Sequence, residues 1–490
     1  MISEFGVMLV LGLTGFLALG IPEAISRSWS RVWMAIPVGT FIYMAMALLS
    51  VLILGRLSVP VALTATGAVA LAAASRMAVL RRWTGRDLVK ASTLALSVLA
   101  VVALSREIPL TRLTEDSMQN LFLSFEFQMP NALPAIPKAP LLARQIGIPS
   151  LHALSSLTDL RYIPSLGPLF GMSTVAVFVW FSLRPTTRSP HRLWLVMMAI
   201  AFLLASNRFL YSWFYVNSHI QMAAYVLLGL IAAWLAVCGS EAWASVSGIS
   251  LAAMLLFRPD SPALVALLMV VIASTRPSEN VARRIALPPV AVAILWIGFV
   301  LFRYSEYAGD FSLASPVFGG LVSVIVGAVA LLSVSWKFTH RLAEYYGVIL
   351  LAGMAVALAA AIIADPATAW NSLAATLQNS IEGFWYLTWW IMAMLIPVAI
   401  VVHRVQRGRL WTQAVVGMGI LFWLLPLIRD GAYRVGPGDS GVRILIHFLP
   451  AFVTFLVLAA DSRASYDSSG FSARARKAAI SARVTGTSGQ

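Results

Sequence analysis

Glu115 and Asp116 stand side by side in the run Thr114-Glu115-Asp116-Ser117, with Gln119 and Asn120 just beyond. Adjacent carboxylates can raise one another's pKa so that one serves as a general base, or together they can hold a divalent cation such as Mg or Mn. The competing reading is a solvated acidic loop in which Thr114 or Asp116 caps a helix. A second cluster, Asn207-Arg208, Tyr211, Trp213, Tyr215, Asn217 and His219, mixes aromatic and polar groups. A membrane-interface belt accounts for the tryptophan and tyrosines, whereas Arg208 and His219 suit a lipid-borne phosphate. In a third, Phe257-Arg258-Pro259-Asp260-Ser261-Pro262, the guanidinium either meets a ligand or pairs with Asp260 across a proline turn. The fourth runs from Arg429, Asp430, Tyr433 and Arg434 through Gly436-Pro437-Gly438 to Asp439, Arg443 and His447. Asp439, Arg443 and His447 recur at i, i+4 and i+8, so on a helix they form one polar stripe. Such a stripe is expensive against lipid and belongs against protein or water.

The elements that must position these groups are apolar helices. The 490 residues are 60% apolar and only 11% charged, against about 25% charged in a soluble domain. That balance excludes an ordinary soluble fold. With Cys238 as the single cysteine no disulfide can form within the chain, so a disulfide scaffold is excluded too. There is no Walker loop, HExxH, CxxC pair, GxSxG elbow or His cluster at metal-ligand spacing, which removes ATP-driven transport by this chain alone.

Apolar runs between charged or Pro/Gly breaks predict helices from 5–21 and 32–54 through to 411–428 and 443–460. Several, notably 193–206, 243–257 and 260–275, are short for a full crossing. The expected fold is an all-α, polytopic transmembrane helical bundle of about 13 to 15 helices, with a large extracytoplasmic loop containing short interfacial helices. Residues 1–105 hold the N-terminal transmembrane helices, 106–164 the loop, 165–460 the main bundle and 461–490 a disordered basic tail. Within the loop, Leu121–Phe127 and Leu141–Ile148 are candidates to lie along the bilayer interface, as is the stretch 371–384 further on. With the C-terminus inside, one side collects 23 of the 35 Lys and Arg but 7 of the 20 Asp and Glu. The positive-inside rule makes that side cytoplasmic. The +15 formal charge is thereby explained by topology, with no need for a nucleic-acid partner. All four polar clusters fall on the opposite, outer side.

Taken together, the acidic pair Glu115-Asp116 in a large outer loop, the Arg258-Pro259-Asp260 turn, and a late helix opening with Arg443 and continuing through His447 to Leu449-Pro450 resemble the GT-C superfamily. These are integral-membrane glycosyltransferases that take sugar from a polyprenyl-phosphate or related carrier at the non-cytoplasmic face. The resemblance implies Asp116 as catalytic base, Glu115 as its partner or a metal ligand, and Arg258, Arg443 and His447 as a phosphate clamp. Arg208, His219 and Arg434 are further phosphate-binding candidates. It also implies a polyprenyl-phosphate-linked sugar donor and a glycan, lipid or protein acceptor, while high Ala, Val, Leu and Arg usage suggests a bacterial chain and hence an inner-membrane location. The family's acid usually follows the first helix, whereas four apolar segments precede Asp116 here, which leaves Asp260, Glu306, Asp310 and Asp439 as reserve carboxylates.

The main rival is a secondary transporter or lipid flippase for a lipid-linked or anionic substrate. Such proteins often show inverted halves and ionisable groups near the bilayer midplane. Here the ionisable groups gather at outer helix ends, and no half-to-half similarity is visible. An envelope polymer ligase or polymerase, acting on lipid-phosphate substrates with outer-loop Arg and His, is a third reading.

Overall fold

The computed structural model describes residues 3–80, 83–107, 115–130, 145–183, 190–305, 316–336, 338–402, 409–428, 431–436 and 440–460. Among them every regular element is helical. In chain order these are α1 (Glu4–Gly20), α2 (Glu23–Ser26), α3 (Ser30–Leu54), α4 (Val59–Val79), α5 (Gly85–Glu107), α6 (Glu115–Glu126), α7 (Gly147–Ala153), α8 (Leu166–Ser182), α9 (Pro190–Ala205), α10 (Asn207–Tyr211) and α11 (His219–Val237). There follow α12 (Ala242–Leu255), α13 (Ser261–Ala273), α14 (Glu279–Val292), α15 (Gly298–Ser305), α16 (Pro316–Ser333), α17 (Tyr346–Ala364), α18 (Pro366–Glu382), α19 (Tyr386–Val402), α20 (Arg409–Ile428) and α21 (Ser440–Ala460). The prolines Pro288 and Pro289 cannot donate to the helical ladder, and a π-helical turn, Ala293–Ile297, joins α14 to α15 just beyond them.

Among the described residues eight helices are long and apolar enough to cross a membrane, or nine if α9 and the Asn207–Phe214 segment, bent by 62° at Ser206, count as one span. Six other apolar helices, α1, α8, α12, α13, α16 and α19, are shorter. Apolar side chains cover both faces of the bundle. α11 is buried almost along its whole length, whereas α17 leaves Val348, Ile349, Val356 and Ile363 exposed. An apolar exterior of this extent is stable only against hydrocarbon.

Small residues let the N-terminal helices cross closely. A methyl group at Gly15 would collide with the Ala35 carbonyl oxygen, and one at Gly39 with that of Leu11, so α1 and α3 pack backbone to backbone. A buried Tyr225 hydroxyl donates to the Pro37 carbonyl at 2.7 Å and lies 3.0 Å from Thr40 Oγ1, pinning α11 to α3. At one end of the bundle the fully buried Glu4 accepts from Ser165 N (3.0 Å) and Oγ (2.5 Å) and from Arg106 Nε (3.1 Å), which ties the start of α1 to α5 and α8. At the other end Arg31 and Asp87, both buried, pair at 2.7 Å, and Lys90 donates to the Ser26 carbonyl at 2.8 Å.

The stretch between α5 and α8 is helical in two places. α6 exposes Met118, Phe122 and Phe125 on one face and buries Ser117, Asn120, Leu123 and Ser124 on the other. The second expectation there needs correcting. Residues 141–144 lie outside the described set, but Gln145 to Ile148 are buried and lead into α7, all seven residues of which are buried. Backbone bonding explains this: Gly147 N donates to the Leu256 carbonyl at 2.7 Å, and a side chain at Gly147 would strike that carbonyl. Gln145 enters the turn at φ 58°, and its Oε1 accepts from the Trp296 indole. α7 thus packs on α6 and α3 and is tied to the end of α12 at Leu256, and the Tyr43 hydroxyl of α3 donates to the Ser150 carbonyl at 3.1 Å.

Candidate functional site

His219 opens α11 and His447 lies two turns into α21, and the packing of these two helices brings His219 Nδ1 to 2.8 Å from His447 Nε2. Both rings are buried and nearly parallel, with centroids 5.1 Å apart. At that separation one nitrogen donates and the other accepts, so one proton lies between them. Asn217 fixes the start of α11 by accepting from His219 N through Oδ1 at 2.9 Å. Its own Nδ2 and the Oε1 of Gln221 are buried without a hydrogen-bond partner among the described residues. Buried polar atoms of this kind in a native fold call for a polar ligand or ordered water.

Arg208 sits in the short α10 that follows the bend at Ser206, whose hydroxyl caps α10 by accepting from Phe209 N. Its side chain is buried, with the guanidinium carbon 5.4 Å from the Tyr211 ring centre. Arg443 is one turn before His447 on α21, so the expected helical stripe is present for these two. Asp439 lies outside the described residues.

Arg258 and Asp260 meet each other across the proline turn, Nε to Oδ1 at 2.9 Å, and both are largely buried. The turn lies beside α7 through the Gly147–Leu256 bond, and Phe257 packs on Tyr225 at 5.7 Å between centroids. Of the two readings the sequence left open, the pairing is the one seen.

α18 runs on the same end of the bundle with an inverted pattern. Trp370, Leu373, Leu377 and Ile381 are exposed, while Ser372, Thr376, Asn379 and Ser380 are buried. The polar face holds the segment before α21 in place. Asn379 Nδ2 donates to the Arg434 carbonyl at 2.8 Å, Asn379 Oδ1 accepts from Gly436 N at 2.7 Å, and Ser372 Oγ accepts from Tyr433 N at 3.2 Å. Gly436 takes φ 109°, a conformation suited to glycine. The Arg434 side chain itself is exposed.

Beside this site α17, α19, α20 and α21 enclose an apolar groove of about 430 Å³, lined by Trp389, Met392, Ile396, Phe422, Phe448 and Phe452 among others. That volume is in the range of ligand pockets. A smaller hollow bounded by Thr376, Asn379 and Gly441 shares Trp385, Trp389, Phe422 and Leu445 with it. The indole N–H groups of Trp385 and Trp389 are buried there without acceptors. α21 therefore faces the groove with Leu445, Phe448 and Phe452, and at 3.6 residues per turn it carries Arg443 and His447 on the opposite face, toward α11.

Of the candidates read from sequence, His219 and His447 are in direct contact, Arg443 is on the same helix turn sequence, and Arg258 is bound to Asp260. Glu115 and Asp116 begin α6, but their side chains lie outside the described residues, as do Glu306 and Asp310. No group of three or more His, Cys, Asp or Glu suited to a metal ion occurs among the described residues. Ser372, Asn379 and Gln221 escape sequence reasoning; the signal for the first two is a polar stripe at 372, 376, 379 and 380 on a helix whose other face is apolar. No protein-family model, curated protein or solved structure matches the chain.

Proposed function

We propose that the chain is an integral-membrane glycosyltransferase that moves a hexosyl or pentosyl group from a polyprenyl-phosphate carrier to a glycan, lipid or protein acceptor at the extracytoplasmic face. In this reading the nine long spans and six short apolar helices make fifteen crossings of a bacterial inner membrane, with the C-terminus cytoplasmic. The observation that carries the reading is the double character of α21. One face supplies Arg443 and the dyad histidine His447, and the opposite face supplies Leu445, Phe448 and Phe452 to an apolar groove. A helix end with a cation and a histidine pair on one side and an apolar groove on the other suits an amphiphile that straddles it, phosphate head on the first side and chain on the second.

The acceptor oxygen attacks the anomeric carbon as the bond from that carbon to the carrier's phosphate oxygen breaks. The bond's electron pair leaves with the lipid phosphate, and the acceptor proton passes to a carboxylate, Asp116 by the resemblance. Charge gathers on the phosphate, where Arg443, Arg208 and an outer ring N–H of the His219–His447 pair, not the one held between the rings, stabilise it more in the transition state than in the ground state. The Arg258–Asp260 pair, held by the turn under α7, acts as a rigid wall of the site.

Purified protein in liposomes with a polyprenyl-phosphate-linked sugar and a hydroxyl acceptor should consume donor and form glycosylated product. Movement of solute or lipid across the bilayer without covalent change would instead support a transporter or flippase.

A further inference from the structure

A second polar cavity, of about 920 Å³, lies at the bundle end opposite the histidine pair, between the α1–α3 connection and the start of α5. α1 separates the two ends: Glu4 belongs to the α8 end and Gly20 abuts Arg31, a distance of about 25 Å for a 17-residue helix. Four cations, Arg27, Arg31, Arg86 and Lys90, face two anions, Glu23 and Asp87, in and behind its wall. Glu23 is bound to Arg27 at 2.6 Å and Asp87 to Arg31 at 2.7 Å. The remaining positive charge sits on Arg86, which is exposed, and on Lys90, which is 97% buried. Lys90 makes one hydrogen bond among the described residues, to the Ser26 carbonyl, whereas an ammonium has three N–H donors. A buried lysine with donors to spare at the edge of a large cavity is a seat for an anion.

The cavity also opens beside lipid-facing surface. Leu80, in its wall, is exposed, as are Val79 before it, Trp83 one residue before the wall residue Thr84, and Trp29 two residues after the wall residue Arg27. Tryptophan at helix ends marks the boundary between hydrocarbon and headgroups. The start of α5 adds a helix dipole oriented to favour negative charge.

We propose that this cavity binds the phosphate of an anionic phospholipid, held by Lys90 and Arg86, with the acyl chains leaving over Leu80 and Val79. The site is separate from the transfer site, and its existence does not depend on the function proposed above. The test is native mass spectrometry with thermal unfolding of the detergent-purified chain, adding short-chain phosphatidylglycerol, phosphatidylcholine, glycerol 3-phosphate or inorganic phosphate. Phosphatidylglycerol should be retained as a bound lipid and raise the melting temperature, phosphatidylcholine should not, and Arg86→Gln should weaken phosphatidylglycerol binding about fivefold. Lys90→Met should weaken it further; should that variant fail to fold, the exposed Arg86 position remains decisive. Equal retention of the two lipids, or wild-type binding by Arg86→Gln, would overturn the proposal. A full shift from glycerol 3-phosphate or inorganic phosphate alone would overturn it in favour of a soluble phosphate ligand.

Discussion

At the scale of the residue, the site turns on two imidazoles 228 positions apart in sequence and 2.8 Å apart in space. Because they share one proton, they act as a unit. His447→Asn and His219→Gln should each lower the rate of sugar transfer by about 10²–10⁴-fold, and the double variant should lose little more than either single one. Initial rates in proteoliposomes test this, and additive losses would separate the two rings functionally. Arg443→Ala removes a charge-assisted donor worth about 1.5–3 kcal/mol, so carrier affinity should fall about tenfold to a hundredfold, read by equilibrium binding of polyprenyl phosphate. A third histidine behaves differently. His152 in α7 is wholly buried, its Nδ1 accepts from Ile163 N at 3.2 Å, and burial pushes its pKa down to about 4. The unfolded chain binds a proton near pH 6.5 that the folded protein refuses until about pH 4. Stability should therefore be lost as pH falls across that window, by up to about 3 kcal/mol. In His152→Gln the melting temperature should vary less between pH 6.5 and pH 4 than in the parent; an unchanged pH dependence would place the acid lability elsewhere.

At the scale of the element, the apolar segments were readable because membrane helices announce themselves by length and composition. Helices occupy the expected runs from α1 to α21, and the stretch around 371–384 is the helix α18. What escaped is what depends on neighbours. Nothing in Gly147–Ala153 distinguishes a helix lying on a surface from one buried against α6 and α3; the Gly147 contact with the Leu256 carbonyl decides it. Likewise Arg258 could serve a ligand or Asp260 until the turn geometry is known, and the histidine pair exists only through the packing of α11 on α21. Polar residues buried on one face of α18 are the least legible of all, since amphipathic helices usually send that face to water. Asn379 satisfies two backbone groups of the segment before α21, and losing both bonds costs on the order of 1–3 kcal/mol for each group left buried and unpaired. Asn379→Ala should accordingly speed proteolysis between residues 431 and 436 and lower transfer activity, and normal protease resistance would show that the anchor is dispensable.

At the scale of the whole molecule, two ends of the bundle carry different chemistry. Histidines, an apolar groove and the polar face of α18 mark one, while buried ion pairs and a cationic cavity mark the other. In the proposed topology, which rests on the charge count over the loops, the first end is the outer one. The assignment can be tested simply, because Cys238 is the chain's one cysteine. In a Cys238→Ala background, a cysteine at position 116 should react with an impermeant maleimide on intact cells, and one at position 474 only after lysis. The reverse pattern would invert the bundle. The most direct test of the central claim, that a lipid-borne phosphate sits at Arg443 and the histidine pair with its chain in the neighbouring groove, is photo-crosslinking with a polyprenyl phosphate bearing a diazirine in its chain. Labelling should concentrate in residues 385–400 and 445–452 and disappear on competition with unlabelled polyprenyl phosphate. Labelling confined to other helices, or unaffected by the competitor, would contradict it.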